Sequence, residues 1–459
     1  MTKLSIIDAG FLLIESPSNP KHVACLQIFR LPKGKGPAWL RHLLSDLKQS
    51  SPGFPFNQRV VMKNPLKPKL VQDDDIDMDY HLRHTVLPRP GNDDQLWEMT
   101  ARLHANVLDR DQPLWEFHLI EGLTDRRFAF YTKIHHALAD GVTMNRWFAE
   151  AGSLSPDEPD SHPIWQTERT RQAVEKNEPS YLQLMLEGLK LLGGGVQTTM
   201  DLTILSAKLI QHRFFEGHKE VTLPLSAPHT PLNVSPGAAR CLAATTFQLD
   251  LIKSIARSQK ASVNDVLLTI CDLSVSRYLT EHGNETKEPL VVYMPVNLRS
   301  DDEGDGGNMV SLLQVRMASN HEDSLVALQQ IKTSSRTARE VFSGYGKPAI
   351  QVYSLAIALL AQAEESLKLD RLLPPTNNLI VSNVPGPKQK LYFRGAESLS
   401  AYPISTLAPL TSLNVTANSY GGTIHVCLVS GRSAIPDLSK LAQYMKQEIE
   451  NLALATGVV

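Results

Sequence analysis

Paired cysteines are missing. Cys25, Cys241, Cys271 and Cys427 stand singly, with no C-x-x-C spacing. A disulfide framework and a zinc ribbon are excluded, and buried thiols kept reduced in a cytoplasm are expected. An excess of either charge is missing too: 46 Lys+Arg against 48 Asp+Glu leave a formal −2, which gives nucleic acid no field to follow. No apolar run approaches the ~18 residues that a membrane span needs. The densest, residues 355–361, is short and stands between Tyr353 and Gln362. The apolar stretch at residues 4–14 is broken by Asp8 and does not resemble a secretory signal.

Several catalytic signatures are absent as well. There is no G-x-S-x-G elbow for a serine hydrolase and no G-x-x-x-x-G-K-S/T loop for a nucleotide. Gly34 and Gly36 lack a third glycine and a following β-α unit, so a dinucleotide fold is unsupported. Asp301, Glu303, Asp305 and Gly306 begin like a calcium loop, but Leu312 stands where the bidentate Glu belongs. An exposed acidic loop is expected there.

What is present is a globular α/β pattern. With 459 residues, 42% hydrophobic and 20% charged, the chain fits two or three domains, each able to bury a core. Residues 23–31 read as a strand, 39–49 and 94–108 as amphipathic helices. Trp115, Phe117 and Leu119 alternate, a turn is expected over 122–126, and Phe128, Phe130, Thr132 and Ile134 alternate again, which predicts a hairpin ending at His135. Residues 155–180 are polar and punctuated by proline, and two helices are expected over 182–192 and 200–215. A second Pro-rich stretch, with Pro224, Pro228, Pro231 and Pro236, leads into another α/β half. Strands are predicted there over 290–296, 379–384 and 422–430, and helices over 250–259, 264–278 and 436–454.

The informative segment is His135-His136-Ala137-Leu138-Ala139-Asp140-Gly141, where a strand ends and a helix begins. Adjacent side chains of an extended chain point to opposite faces, so only one of the two histidines faces a shared cavity while the other supports it. An imidazole with a pKa near 6.5 accepts a proton at neutral pH, so His136 can serve as a general base. Asp140 is placed to cap the helix beginning near Val142 or to pair with an arginine, Arg299 being one candidate, and Gly141 leaves room beside the ring. A zinc site lacks both a third ligand and the i, i+4 histidine spacing.

This run resembles the H-H-x-x-x-D-G signature of the CoA-dependent acyltransferase superfamily, which includes chloramphenicol acetyltransferase-like and peptide-synthetase condensation domains. Further segments resemble the bacterial wax ester synthase/diacylglycerol acyltransferase family, in that family's order: Leu4-Ser5 with Asp8 and Phe11, Pro113-Leu114-Trp115, Thr230-Pro231-Leu232-Asn233, Asn264-Asp265-Val266, residues 295–299, Gly307-Asn308 and residues 382–387. One departure is Val234, where relatives have glycine.

The resemblance implies an α/β fold of two chloramphenicol acetyltransferase-like domains, each a mixed sheet with flanking helices. Their bounds are expected at 1–178 and 240–459, with a helical and Pro-rich linker over 179–239. It implies His136 as the base, His135 and Asp140 as its supports, and Gly141, Asn264 and Asp265 as substrate-binding residues. Asn264, opening a predicted helix, is the candidate oxyanion donor, with a helix cap as its alternative role. Asn383 and Pro385 are expected to shape a turn at the domain junction. The implied reaction moves a long-chain acyl group from acyl-CoA, a substrate and not a cofactor, to a fatty alcohol or diacylglycerol. No metal and no nucleic acid takes part. The linker helices, with Lys190, Lys208, His212 and Arg213, suit peripheral contact with a membrane or lipid droplet from the cytoplasm. The alternatives are a condensation-type transferase using a carrier-protein thioester and a non-catalytic lipid-surface binding protein.

Overall fold

The computed structural model describes residues 2–4, 6–63, 68–158, 161–166, 222–297, 310–319, 321–343 and 347–458. The linker helices expected over 182–215, the acidic loop at 301–306, Arg299 and Gly307-Asn308 lie outside the described residues.

In the first half the strands are β1 (Thr2–Lys3), β2 (His22–Arg30), β3 (Gln58–Val61), β4 (Lys69–Gln72), β5 (Leu82–Val86), β6 (Trp115–Leu123) and β7 (Arg127–His135). The helices are α1 (Ile6–Ile14), α2 (Pro37–Lys48), α3 (Met78–His81), α4 (Asp93–Ala105) and α5 (Gly141–Ala151). In the second half come β8 (Arg240–Gln248), α6 (Leu249–Ser258), α7 (Val263–Glu281), β9 (Val291–Asn297), β10 (Val310–Arg316), α8 (Ser324–Ser343), α9 (Lys347–Ser366), β11 (Leu379–Pro385), β12 (Tyr392–Phe393), β13 (Ala396–Ile404), β14 (Leu413–Tyr420), β15 (Thr423–Gly431) and α10 (Leu438–Ala455).

The hairpin predicted to end at His135 is present as β6 and β7, antiparallel, with Trp115 opposite Ile134. Asp125 and Arg126 both take positive φ (58° and 55°) at its turn, the pairing whose twist suits a tight hairpin. The strands expected over 23–31, 290–296, 379–384 and 422–430, and all five helices placed outside the linker, are found within a few residues of their expected ends.

Two six-stranded mixed sheets organise the chain, in the orders β12-β13-β2-β7-β6-β5 and β10-β9-β11-β14-β15-β8. Apart from the parallel pair β5 and β6, the pairings in the first are antiparallel. In the second, β11 runs parallel to both β9 and β14.

The expected division at about 179–239 does not hold for the sheets, because β13 comes from the second half and pairs with β2 of the first, Tyr402 opposite Leu26. A core cluster crosses the same seam, with Leu26, Ile120 and Tyr131 packed with Ile404, Cys427 and Val429. The reason is edge protection. Without β13, β2 would present an unpaired edge whose first eight residues are all buried, and such an edge must be covered.

The lobes are also fastened near the end of β11. Nδ2 of Asn145, on α5, donates to the Pro385 carbonyl (3.2 Å) and to Oδ1 of Asn418 (2.9 Å). Asn383 and Pro385 therefore continue a strand rather than form the expected turn; parallel pairing with β14 extends the backbone to Pro385, opposite Ser419. Gly386 follows in a position without room for a side chain: a Cβ there would lie 2.4 Å from the Ser419 carbonyl oxygen and 2.5 Å from Oδ1 of Asn418. We predict that Gly386→Ala costs about 1–3 kcal/mol, the range for overpacking a well-fitted site. Thermal denaturation should show a lowered Tm, and an unchanged Tm would mean that the seam relaxes freely.

Candidate active site

A cavity of about 380 Å³ opens between the lobes, within the size range of ligand sites. One side of its wall comes from α1, β2 and the turn after β7; the other comes from α9, β11 and the segment between β13 and β14. Most of the wall is apolar, for instance Phe11, Ile14, Leu355, Leu359 and Ile380. His136 and Asp140 stand on it.

The two histidines diverge as the strand geometry requires. His135, the last residue of β7, pairs with His22 of β2 and is fully buried. Its Nδ1 accepts the Ala137 N–H at 3.0 Å, so the proton of the neutral ring sits on Nε2, which lies 3.4 Å from Oε1 of Glu15. His136 turns to the cavity. Its backbone N–H donates to the Lys21 carbonyl (2.8 Å), and its ring stacks on Phe11 with centroids 4.1 Å apart and planes 10° from parallel. The backbone bond and the stacked ring together fix the imidazole against rotation.

Asp140 is the N-cap of α5 and accepts the Thr143 N–H at 2.8 Å. It closes the loop that carries His136. Gly141 serves the seam: a Cβ there would come within 3.3 Å of Cγ2 of Val384 on β11. The room it leaves is filled by the other lobe.

Asn264 and Asp265 stand outside the residues that line the cavity. The cap of α7 is Ser262, which with Asp265 forms a capping box, so Asn264 does not take the cap position considered for it. The S-x-x-D spacing of that box is legible in the sequence. Oδ1 of Asn264 accepts from Nδ2 of Asn383 at 2.8 Å, and Asn383 is on the cavity wall. Asp265 is buried and spent on structure: it accepts the Ser262 N–H (2.8 Å) and the Ser335 hydroxyl, and Arg339 approaches at 3.4 Å, tying α7 to α8.

Glu15 and Lys21 are the residues that sequence reasoning passed over. Glu15 follows α1 and gathers the Lys21 N–H (3.0 Å), Arg110 (3.1 Å) and His135. Burial would raise its pKa, but the bond and charge of His135, the Lys21 N–H and Arg110 outweigh it and hold the carboxyl at about 2. Lys21 is buried on the cavity wall. Its only sequence signal is a lone lysine at the mouth of an apolar strand.

The fold defines the class first. The first condensation domain of the CDA synthetase matches with a TM-score of 0.59 over 99% of this chain and 96% of that one, at 13% identity, a likeness of fold alone. Within that class the chain belongs to the wax ester synthase/diacylglycerol acyltransferase family: the family's catalytic domain matches residues 4–267 and its C-terminal domain residues 306–453. Among relatives, "O-acyltransferase WSD" of Acinetobacter baylyi is 30% identical over 100% of this chain and 98% of its own length. "Probable diacyglycerol O-acyltransferase tgs2" of Mycobacterium tuberculosis is 35% identical, with 98% of each chain covered. The wax ester synthase/diacylglycerol acyltransferase of Marinobacter aquaeolei VT8 matches in structure with a TM-score of 0.76 and 28% identity, over 99% of this chain and 100% of that one.

The charge on Glu15 carries a stability signature. Its carboxyl falls from an ordinary 4.5 to about 2 in the fold, so the stabilisation is full above pH 4.5 and drains away as pH falls toward 2. We predict that Glu15→Gln costs on the order of 2 kcal/mol at pH 7, with a gap in melting temperature from wild type that narrows as pH drops from 4.5 to 3. A gap constant over that range would assign the loss to something other than the charge.

Proposed function

We propose that this protein transfers a long-chain acyl group from acyl-CoA to the hydroxyl of a fatty alcohol or a diacylglycerol, with His136 as the base. One observation carries the reading: an imidazole locked in orientation by Phe11 and the Lys21 carbonyl faces a mostly apolar cavity between two lobes. The names of the relatives support the same reaction class.

In this scheme the acceptor hydroxyl gives its proton to the ring of His136 while its oxygen attacks the thioester carbonyl. The C–S bond breaks as the tetrahedral intermediate collapses, the CoA thiolate leaves, and the proton returns to sulfur, whose free pKa is about 8.5. His135 and Asp140 act through position, one beneath the loop and one at its end. Gly141 keeps the lobes close at the same point, and the Asn264–Asn383 pair lies toward the developing oxyanion, while Asp265 holds the start of α7 that carries Asn264. Acyl-CoA is consumed as substrate, and no metal or resident cofactor enters the scheme.

Cys25 also lines the cavity, but burial pushes its thiol pKa well above the ordinary value, which disfavours the thiolate that a covalent route would need. Among the described residues no helix is long and apolar enough to cross a membrane. A peripheral position on the cytoplasmic side of a membrane or lipid droplet would deliver such acceptors.

Purified protein given palmitoyl-CoA with hexadecanol or a diacylglycerol should release thiol in step with ester. His136→Ala should lower kcat by about 10²–10⁴, the usual share of a general base, with its circular dichroism spectrum unchanged. Thiol release without ester would indicate a thioesterase. Undiminished turnover in the variant would remove His136 from the base role.

A further inference from the structure

The wall of the cavity holds more polar chemistry than one hydroxyl uses. Lys21 stands one residue before β2. The last ladder pair, His22 with His135, continues through the His136 N–H to the Lys21 carbonyl (2.8 Å), so Lys21 and His136 are cross-strand neighbours. Residues so opposed project to one face, with Cβ atoms about 4.5–5.5 Å apart, and both line the cavity.

The Lys21 residue is only 2% exposed. Its Nζ donates to the Leu407 carbonyl at 2.7 Å, while an ammonium carries three donors. Among the described residues no carboxylate lies within ion-pair distance of it, Glu15 and Glu365 acting only as more distant charges. Burial pushes its pKa down to about 7 against the attraction of Glu365; as amine or ammonium it remains a donor.

Around the Leu407 carbonyl the wall is polar. The Thr406 hydroxyl donates to the Pro20 carbonyl (2.7 Å), Asn414 Nδ2 donates to the Thr406 carbonyl (2.8 Å), and the Thr416 hydroxyl donates to Oδ1 of Asn414 (2.8 Å). Those groups satisfy one another, which leaves Lys21 as the donor with capacity to spare. A buried donor without an acceptor is costly, and a ligand oxygen would relieve that cost. A fatty alcohol has a single polar atom, already engaged by His136. A diacylglycerol carries two ester carbonyls within a few bonds of its hydroxyl.

We propose that Lys21 donates a hydrogen bond to an ester carbonyl of the acceptor, so that this cavity selects a glycerol diester over acceptors without one. The assignment rests on the acyl-transfer reading given above. It makes Lys21 a specificity-determining residue next to the base.

The test compares three acceptors with palmitoyl-CoA: a 1,2-diacylglycerol, its 1,2-dialkyl ether analogue, which lacks the carbonyls, and hexadecanol. The wild type should prefer diester to diether by at least about tenfold in kcat/KM, the scale of a hydrogen bond to a charged group. In Lys21→Met that ratio should fall to about one, with the loss expressed mainly in KM for the diester. Lys21→Gln, which keeps a neutral donor, should give an intermediate ratio. Exchanging a buried cation for an apolar chain of similar length should leave the melting temperature no lower than that of wild type. A diester-to-diether ratio unchanged in Lys21→Met would overturn the proposal. So would an equal loss on all three acceptors, which would place Lys21 in a step common to every substrate. A wild type that esterifies none of the three would instead defeat the acyl-transfer reading itself.

Discussion

The pleat at the end of β7 is the constraint on which the site depends. Two successive histidines in extended backbone must face opposite ways, and the chain uses both directions. His135 goes inward to Glu15, and His136 goes outward to the cavity. Neither placement survives without the other, because the bond from the His136 N–H to the Lys21 carbonyl continues the ladder that holds His135 against β2. Glu15 closes the circuit: its carboxylate takes the Lys21 N–H on one side and faces His135 on the other. A buried carboxylate is tolerable only where it is paired and hydrogen-bonded, and this one has a guanidinium, an imidazole and a backbone amide.

The cavity is a product of the seam between the lobes. Its walls need α1 and β2 from the first half and α9, β11 and the 403–409 segment from the second, and β13 joins the two by entering the first sheet. Close approach at Gly141 and Val384, and at Gly386 and Ser419, keeps the seam tight beside the base. An acyl chain and an acceptor arriving from different sides could thus meet at one imidazole with water largely excluded. Such exclusion strengthens every polar contact made there.

Much of this was legible in the residues. The hairpin that delivers the motif shows itself because Trp115, Phe117 and Leu119 alternate against Phe128, Phe130 and Ile134, and alternation is a local property. The cap at Asp140 is local too. Strand β13 gave no comparable signal: its residues Ala396–Ile404 mix small, polar and apolar types and include Pro403, and what makes them a strand is an edge of β2 far away in the chain. Glu15 and Lys21 were illegible for the same reason, since a lone carboxylate and a lone lysine acquire meaning only from what the fold brings to them. Asn264 and Asp265 were read as facing substrate because their motif was known. The capping box and the ties to Ser335 and Arg339 show where the Asp265 carboxylate is spent.

The central claim is that the acyl group passes directly from CoA to the acceptor under the hand of His136, with no acyl-enzyme between. Rapid-quench measurement of free CoA after mixing the protein with radiolabelled palmitoyl-CoA in the absence of any alcohol tests this most directly. The account predicts no burst of thiol and no label retained on the denatured chain. A burst stoichiometric with protein, with label fixed on Cys25 or on His136 itself, would contradict it.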